Sequence, residues 1–320
     1  MLESLAIYSG SAAGVGTSML WTATSLFFTA AGKRLGPTVV NIVRIWMAVL
    51  LLGTTHRLLT GHWMPEAGGE QVLLLALSGV VGLAIGDQAL LTAFIDIGPR
   101  LTMLIMALSP LFAAVFGWLA LGETLGLTAL AGMAMTIGGV GWVVSQRQPA
   151  QSHLQPSRWT RGILLAIVGA ICQAAGLLFS KQGMGHGWLE ESQRMNPQAA
   201  TLVRMMFAGL ATIPLAVFCF RRMRWPTNPR IQSADKRGLL RSGLLFTACG
   251  AVVGPFLGVW MSLVAADRAP LGIAQTLCSL GPIFIIPCVR IINKEPITAR
   301  AIGGAILAVS GAALLFFREP

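Results

Sequence analysis

Charge is scarce in this sequence. Asp, Glu, Lys and Arg make up only 11% of its 320 residues, against 55% hydrophobic, and mean hydropathy is +0.72. That balance excludes a soluble domain kept in water by a charged surface and places the chain among membrane proteins. Cysteine occurs five times but never as CxxC. Cys172, Cys219, Cys249, Cys278 and Cys288 all fall in apolar runs, so they read as packing residues and not as disulfides or metal ligands. No HExxH, GxSxG or phosphate-binding P-loop occurs, which leaves catalysis, metal and cofactor without a motif. The N-terminus carries Glu3 and no basic region, and the first apolar run is too long for a secretory signal, so no cleaved leader is expected.

What the chain does have is length without charge. Runs free of Asp, Glu, Lys, Arg and His cover residues 4–32, 101–122, 124–146, 162–180, 242–266, 269–289 and 301–317. About 20 apolar residues at a rise of ~1.5 Å cross a bilayer core, so each run predicts one span. Residues 35–55, 71–95 and 195–220 reach the same length if one interior charge is admitted: Arg44, Asp87 and Arg204 respectively. The expectation is therefore an all-α membrane protein with ten transmembrane helices. Its formal charge of +11 sits in short connections between spans, which suits anionic headgroups and gives no reason to expect nucleic acid. Trp63, Trp118, Trp142, Trp159, Trp188 and Trp225 lie near span ends and read as interface anchors, whereas Trp21, Trp46 and Trp260 lie deeper, where each lines a cavity or packs between helices.

The halves echo one another. Pro37 and Arg44 recur 160 residues later as Pro197 and Arg204. Asp96-x-x-Pro99 recurs as Asp267-x-x-Pro270, and Ser109-Pro110 with Glu123 recurs as Gly281-Pro282 with Glu295. Five spans per unit is an odd number, so the second copy enters the membrane upside down. The predicted plan is an inverted-topology repeat of two five-helix units, residues 1–150 and 151–320, with a binding site near the midplane between them. Ser18, Thr22, Ser25 and Thr29 share one face of the first span, and Gly169, Gln173, Gly176 and Ser180 share one face of the sixth. Such faces mean either close helix packing or a wet cavity wall. Gly82-x3-Gly86 and Gly250-x3-Gly254-x3-Gly258 read as tight helix contacts.

With "ALSPLFAAVFGWLALGETL" at 107–125, its echo "SLGPIFIIPCVRIINKEPI" at 279–297 and the arginines opening the second and seventh spans, the chain resembles the ten-helix EamA-type branch of the drug/metabolite transporter superfamily. The resemblance implies a secondary active transporter that exports or exchanges a small metabolite by alternating access. It also implies a multi-pass protein of a bacterial-type inner (plasma) membrane and no enzyme activity. Expected partners are a small-molecule substrate, a proton as coupling ion, the lipid bilayer and a second copy in a homo-oligomer. The related four-helix multidrug exporters carry a coupling carboxylate in their first helix; residues 4–32 here contain none. The alternative is a flippase for a polar or anionic lipid headgroup, which two arginines would suit. Positive-inside reasoning puts the basic stretch 221–241 in the cytoplasm and both termini outside, while the resemblance implies the reverse.

The charges inside spans should face protein or water, because lipid exposure is costly. Asp87, with Gln88 beside it, either exchanges a proton or serves as ionised partner to Arg44 or Arg204. The arginines either contact substrate or Asp87, or pack and snorkel. Asn41 lies three residues before Arg44 on the same face, and Gln275 with Ser279 forms a similar patch in the ninth span. The candidate cavity set is thus Asp87, Gln88, Arg44, Asn41, Arg204, Trp21, Thr22, Ser25, Gln173, Trp260, Gln275 and Ser279. Glu123 and Glu295 are read as interfacial residues at span ends. An intramembrane aspartyl protease is not expected: around Asp87, Ala84 stands where G-x-G-D needs glycine, and a second aspartate is missing from the spans.

Overall fold

The computed structural model describes residues 2–121, 126–144, 156–186, 188–189, 194–222, 233–268, 271–292 and 298–314. They form ten helical stretches: α1 (Leu2–Leu35), α2 (Pro37–Thr60), α3 (Gly69–Asp96), α4 (98–121), α5 (Leu127–Val144), α6 (Pro156–Gly183), α7 (Pro197–Arg222), α8 (233–268), α9 (271–292) and α10 (Ala299–Leu314). No strand occurs among the described residues. Six segments, in α2, α3, α4, α6, α8 and α9, are long and apolar enough to cross a membrane, and Leu130–Val144 and Ala299–Leu314 are shorter apolar helices. Glu123, Glu295, Trp225 and Pro270 lie outside the described residues.

Chain reversals use local chemistry. Gly36 (φ +83°) separates α1 from α2, and Gly98 (φ +81°) opens α4 just after Ile97, each followed by a proline in the first turn of the helix. Glycine takes the left-handed conformation without a Cβ clash, and proline at the first position loses only an N–H that has no intrahelical partner.

Equivalent helices of the halves run antiparallel. Near the end of α2, His56 bonds to Gln198 at the start of α7, at 2.9 Å, and Gln198 donates to the Leu52 carbonyl, also at 2.9 Å. Two to three turns earlier in α2, Ile45 and Trp46 lie against Gly209, further along α7. The same holds for α5 and α10: Val143 meets Gly304, Gly139 meets Ala308, and Thr136 meets Gly311. The contacts also exchange with the halves. Helix α1 packs on α8 and α9 as α6 packs on α3 and α4, and α3 packs on α7 as α8 packs on α2. The fold is the inverted pair of five-helix units.

Two irregularities recur in both halves. Inside α3, residues Gly79–Gly86 are π-helical, the Asp87 N–H bonding to the Gly82 carbonyl; inside α8, Val252–Gly258 are π-helical, the Val259 N–H bonding to Gly254. Helix α4 breaks at 107–108, just before Ser109-Pro110, and α9 breaks at 279–280, just before Gly281-Pro282, because proline supplies no N–H to the turn before it.

Close packing follows the small residues. Ser78 and Ser180 bond to each other at 2.6 Å, and whichever hydroxyl accepts in that pair donates its own proton to the Gly176 carbonyl, which clamps α3 on α6. On the hydroxylic face of α1, Thr22, Ser25 and Thr29 all donate to carbonyls of their own helix, so that face is mainly a packing surface. Trp63, Trp118, Trp142 and Trp188 are exposed as expected of anchors, but Trp159 is buried among Ala93, Ile97 and Ala166. The cause is simple: α6 starts against the end of α3 and the start of α4, and Ala93, Ile97, Leu101 and Leu104 cover the indole. Arg161, two residues on, forks onto the buried Asp96 carboxylate at 2.8 Å and ties the start of the second half to the end of α3.

Candidate functional site

Between the halves lies a cavity walled by α1 (Trp21, Thr24, Ser25, Phe28), α3 (Leu83, Asp87, Leu90, Leu91, Phe94), α4 (Met103, Met106, Ser109), α8 (Gly254, Pro255, Val259) and α9 (Gln275, Cys278, Ser279, Gly281, Pro282), with Arg44 from α2 and Gln173 from α6. It offers about 90 Å³ to the centres of water-sized atoms, where one water needs roughly 10–15 Å³, so it holds a small solute or several waters. Both π-turns and both helix breaks border it. Irregular backbone at membrane depth is tolerated where it lines such a space.

The polar corner is built from the first half. Arg44 Nη2 donates to Asp87 Oδ2 at 2.7 Å, to Asn41 Oδ1 at 2.7 Å and to the Leu83 carbonyl at 3.2 Å; Nε donates to Asn41 Oδ1 at 3.0 Å. Asn41 Nδ2 in turn donates to Gln88 Oε1 at 3.1 Å and to the Ala84 carbonyl at 3.2 Å, and Gln88 donates to Thr38 Oγ1 at 3.1 Å. The accepting carbonyls of Leu83 and Ala84 belong to the π-turn, a feature frequent at functional sites. Phe28 places its ring 5.6 Å from the Arg44 guanidinium carbon. Opposite, Gln275 Nε2 donates to Ser109 Oγ at 2.8 Å, joining the two helix breaks, while Gln275 Oε1 is buried without a partner.

Of the sequence candidates, Asp87, Arg44, Trp21, Ser25, Gln173, Gln275 and Ser279 line the cavity. Five do not. Asn41 and Gln88 stand one layer behind, holding Arg44. Thr22 turns its hydroxyl to the Ser18 carbonyl, and Trp260 tilts against Phe256 with ring centres 6.1 Å apart. Arg204 is buried behind the wall, its Nη2 3.3 Å from where a Gly82 Cβ would stand and 3.5 Å from that of Gly176. Ser109 was not among the candidates. Its signal was the Ser-Pro step, which breaks α4 and turns the hydroxyl inward. The apolar lining of Phe28, Phe94, Met103 and Met106 carried no signal separable from core. Among the described residues no three His, Cys, Asp or Glu side chains gather as a metal site, and Asp87 is the only acidic group in the cavity wall.

Residues 8–145 and 160–317 each match the EamA-like transporter family. The chain belongs to that family. It is accordingly an integral, multi-pass membrane transporter of the drug/metabolite type, and the two EamA units coincide with the two five-helix halves. A solved crystal structure of another protein has the same fold, with a TM-score of 0.63 at 18% identity, covering 97% of this chain and 96% of that one. No curated protein matches the EamA chain in sequence.

Proposed function

We propose that this EamA protein is a secondary active transporter that exports or exchanges a small metabolite, without catalysis, across a bacterial-type inner membrane. Alternating access moves one unit against the other around the central cavity. The observation that carries the reading is the position of that cavity: it lies between two antiparallel equivalents, on broken helices, and holds the buried Arg44–Asp87 pair. Asp87 is the group on which coupling to a proton falls, since it is the one carboxylate in the wall and reaches it from mid-helix.

The test is efflux from proteoliposomes loaded with a panel of amino acids, organic acids, nucleosides, sugars and polyamines, at two values of external pH. Saturable, trans-stimulated movement of one class, weakened in Gln173→Ala and stripped of its pH dependence in Asp87→Asn, supports the proposal. Unaltered pH dependence in Asp87→Asn removes that residue from coupling, and scrambling of a labelled anionic lipid with no solute movement replaces the reading with the flippase.

A further inference from the structure

The two arginines that open α2 and α7 are equivalent by repeat, yet their surroundings are not. Arg44 has a carboxylate 2.7 Å away. Arg204 has none: its Nε is buried without a hydrogen-bond partner, and no acidic group among the described residues stands within ion-pair distance of it. The reason is legible in the repeat. Counting back from the matching aspartates Asp96 and Asp267, Gly258 stands in α8 where Asp87 stands in α3, so the second unit lacks the counter-ion. Arginine stays protonated in protein interiors. The charges well inside the spans are therefore Arg44, Arg204 and Asp87, and with the carboxylate ionised they leave one positive charge uncompensated.

That charge is close to the cavity. Arg204 lies against Gly82 and Gly176, each one turn or less from the wall residues Leu83 and Gln173. Where Arg204 approaches, α3 and α6 meet at Gly82 and Gly176, backbone against backbone. Within the cavity, Arg44 keeps Nη1 outside its bonds to Asn41, Leu83 and Asp87, and Gln173 has no hydrogen bond of its own among the described residues. The rest of the wall is aromatic and aliphatic: Trp21, Phe28, Phe94, Met103. A low-polarity space with a net positive charge and two free donors on one side favours a solute with a single negative group and an apolar body.

We infer that the substrate is a small organic monoanion, its carboxylate received by Arg44 Nη1 and Gln173 and its charge balanced by Arg204. This rests on the transporter reading and narrows it. Zwitterions bring no net charge to offset Arg204, and cations add to it. An inorganic anion would meet the same guanidinium but leave the apolar wall unused.

The test is binding to the purified full-length protein in nanodiscs, read by the fluorescence of Trp21 and its fellow tryptophans and by thermal shift. The probes are benzoate, its neutral analogue benzamide, the zwitterion phenylalanine, and sodium phosphate and chloride. Benzoate should bind at least tenfold more tightly than benzamide or phenylalanine. Arg204→Gln should erase that preference while Arg204→Lys preserves it, and Asp87→Asn, which raises the net charge, should enlarge it several-fold. Benzamide binding and the melting point of each variant report whether the cavity is intact. Equal binding of benzoate and benzamide, a response to phosphate or chloride that benzoate does not exceed, or a benzoate preference untouched in a folded Arg204→Gln variant overturns the inference. Saturable binding of the zwitterion phenylalanine in place of benzoate, or transport of an amino acid or polyamine in the proteoliposome panel with no organic acid moved, overturns it while leaving the transporter standing. No saturable binding of any of these probes overturns the inference, and the transporter reading falls only if the proteoliposome panel also shows no saturable movement.

Discussion

Arg44 and Asp87, 2.7 Å apart on neighbouring helices of one unit, form an ion pair whose guanidinium is buried and whose carboxylate is largely so, and the guanidinium is also held by Asn41 and by a carbonyl of the π-turn. Removing one partner of such a pair leaves an uncompensated charge and costs about 3–5 kcal/mol, whereas replacing both by apolar residues of similar volume is often neutral. Arg44→Met is therefore expected to lower stability by about that amount, and Arg44→Met/Asp87→Leu to recover at least half of the loss even though transport is abolished. Thermal unfolding of the parent, Arg44→Met, Asp87→Leu and the double variant in one detergent checks this. If the double variant is as unstable as the sum of its singles, the pair is not an isolated electrostatic unit and the Asn41–Gln88 layer dominates the corner.

The glycines divide into those that matter for packing and those that do not. A Cβ on Gly79 would fall on the Arg204 carbonyl, at the crossing of α3 and α7, where backbone meets backbone and no side chain can yield. Around Gly53, in α2, nothing stands within 4 Å of the added carbon. Overpacking at the first site is expected to cost Gly79→Ala about 1–3 kcal/mol or more, with loss of monodisperse protein. Gly53→Ala is expected to be neutral or to gain about 0.5–1 kcal/mol from helix propensity. Size-exclusion profile and melting temperature separate the two. Equal behaviour would mean that α3 and α7 are not in contact in the membrane.

Much of this architecture is legible in the sequence because hydrocarbon imposes a simple rule: a span must be long and uncharged. Seven spans obey it outright and three with one interior charge each, and an odd number per unit then gives the antiparallel halves. What sequence reasoning does not show is where helices stop being regular. Gly82-x3-Gly86 and Gly250-x3-Gly254-x3-Gly258 look like packing faces, and they are, yet the same residues also make π-turns that present the Leu83 and Ala84 carbonyls to Arg44 and Asn41. Identical motifs likewise hide unequal environments. Pro37/Arg44 and Pro197/Arg204 read alike, but the counter-ion comes from a third helix and is present in only one unit. Trp159 fails as an anchor for a related reason, since depth along a helix says nothing of which neighbour covers it.

The outward face of α2 offers a test of what surrounds the molecule. Leu50 is 68% exposed and Leu58 85% exposed, and both sit on the same helix, Pro37–Thr60. Leu50 is ten residues from the helix end, about 15 Å by rise per residue, whereas Leu58 is within its last turn. A lysine at mid-helix in lipid costs about 2.5–3.5 kcal/mol, while near the end its four-carbon stem carries the ammonium to the headgroups at little cost. Leu50→Lys should therefore impair membrane insertion and yield sharply, and Leu58→Lys should leave both close to the parent, as read by a membrane-insertion reporter and by melting of the purified variants. Tolerance of lysine at Leu50 would mean that this face meets water or another polypeptide rather than acyl chains, and the alternation of buried Ala48 and Leu52 with exposed Leu50 would then mark a protein interface.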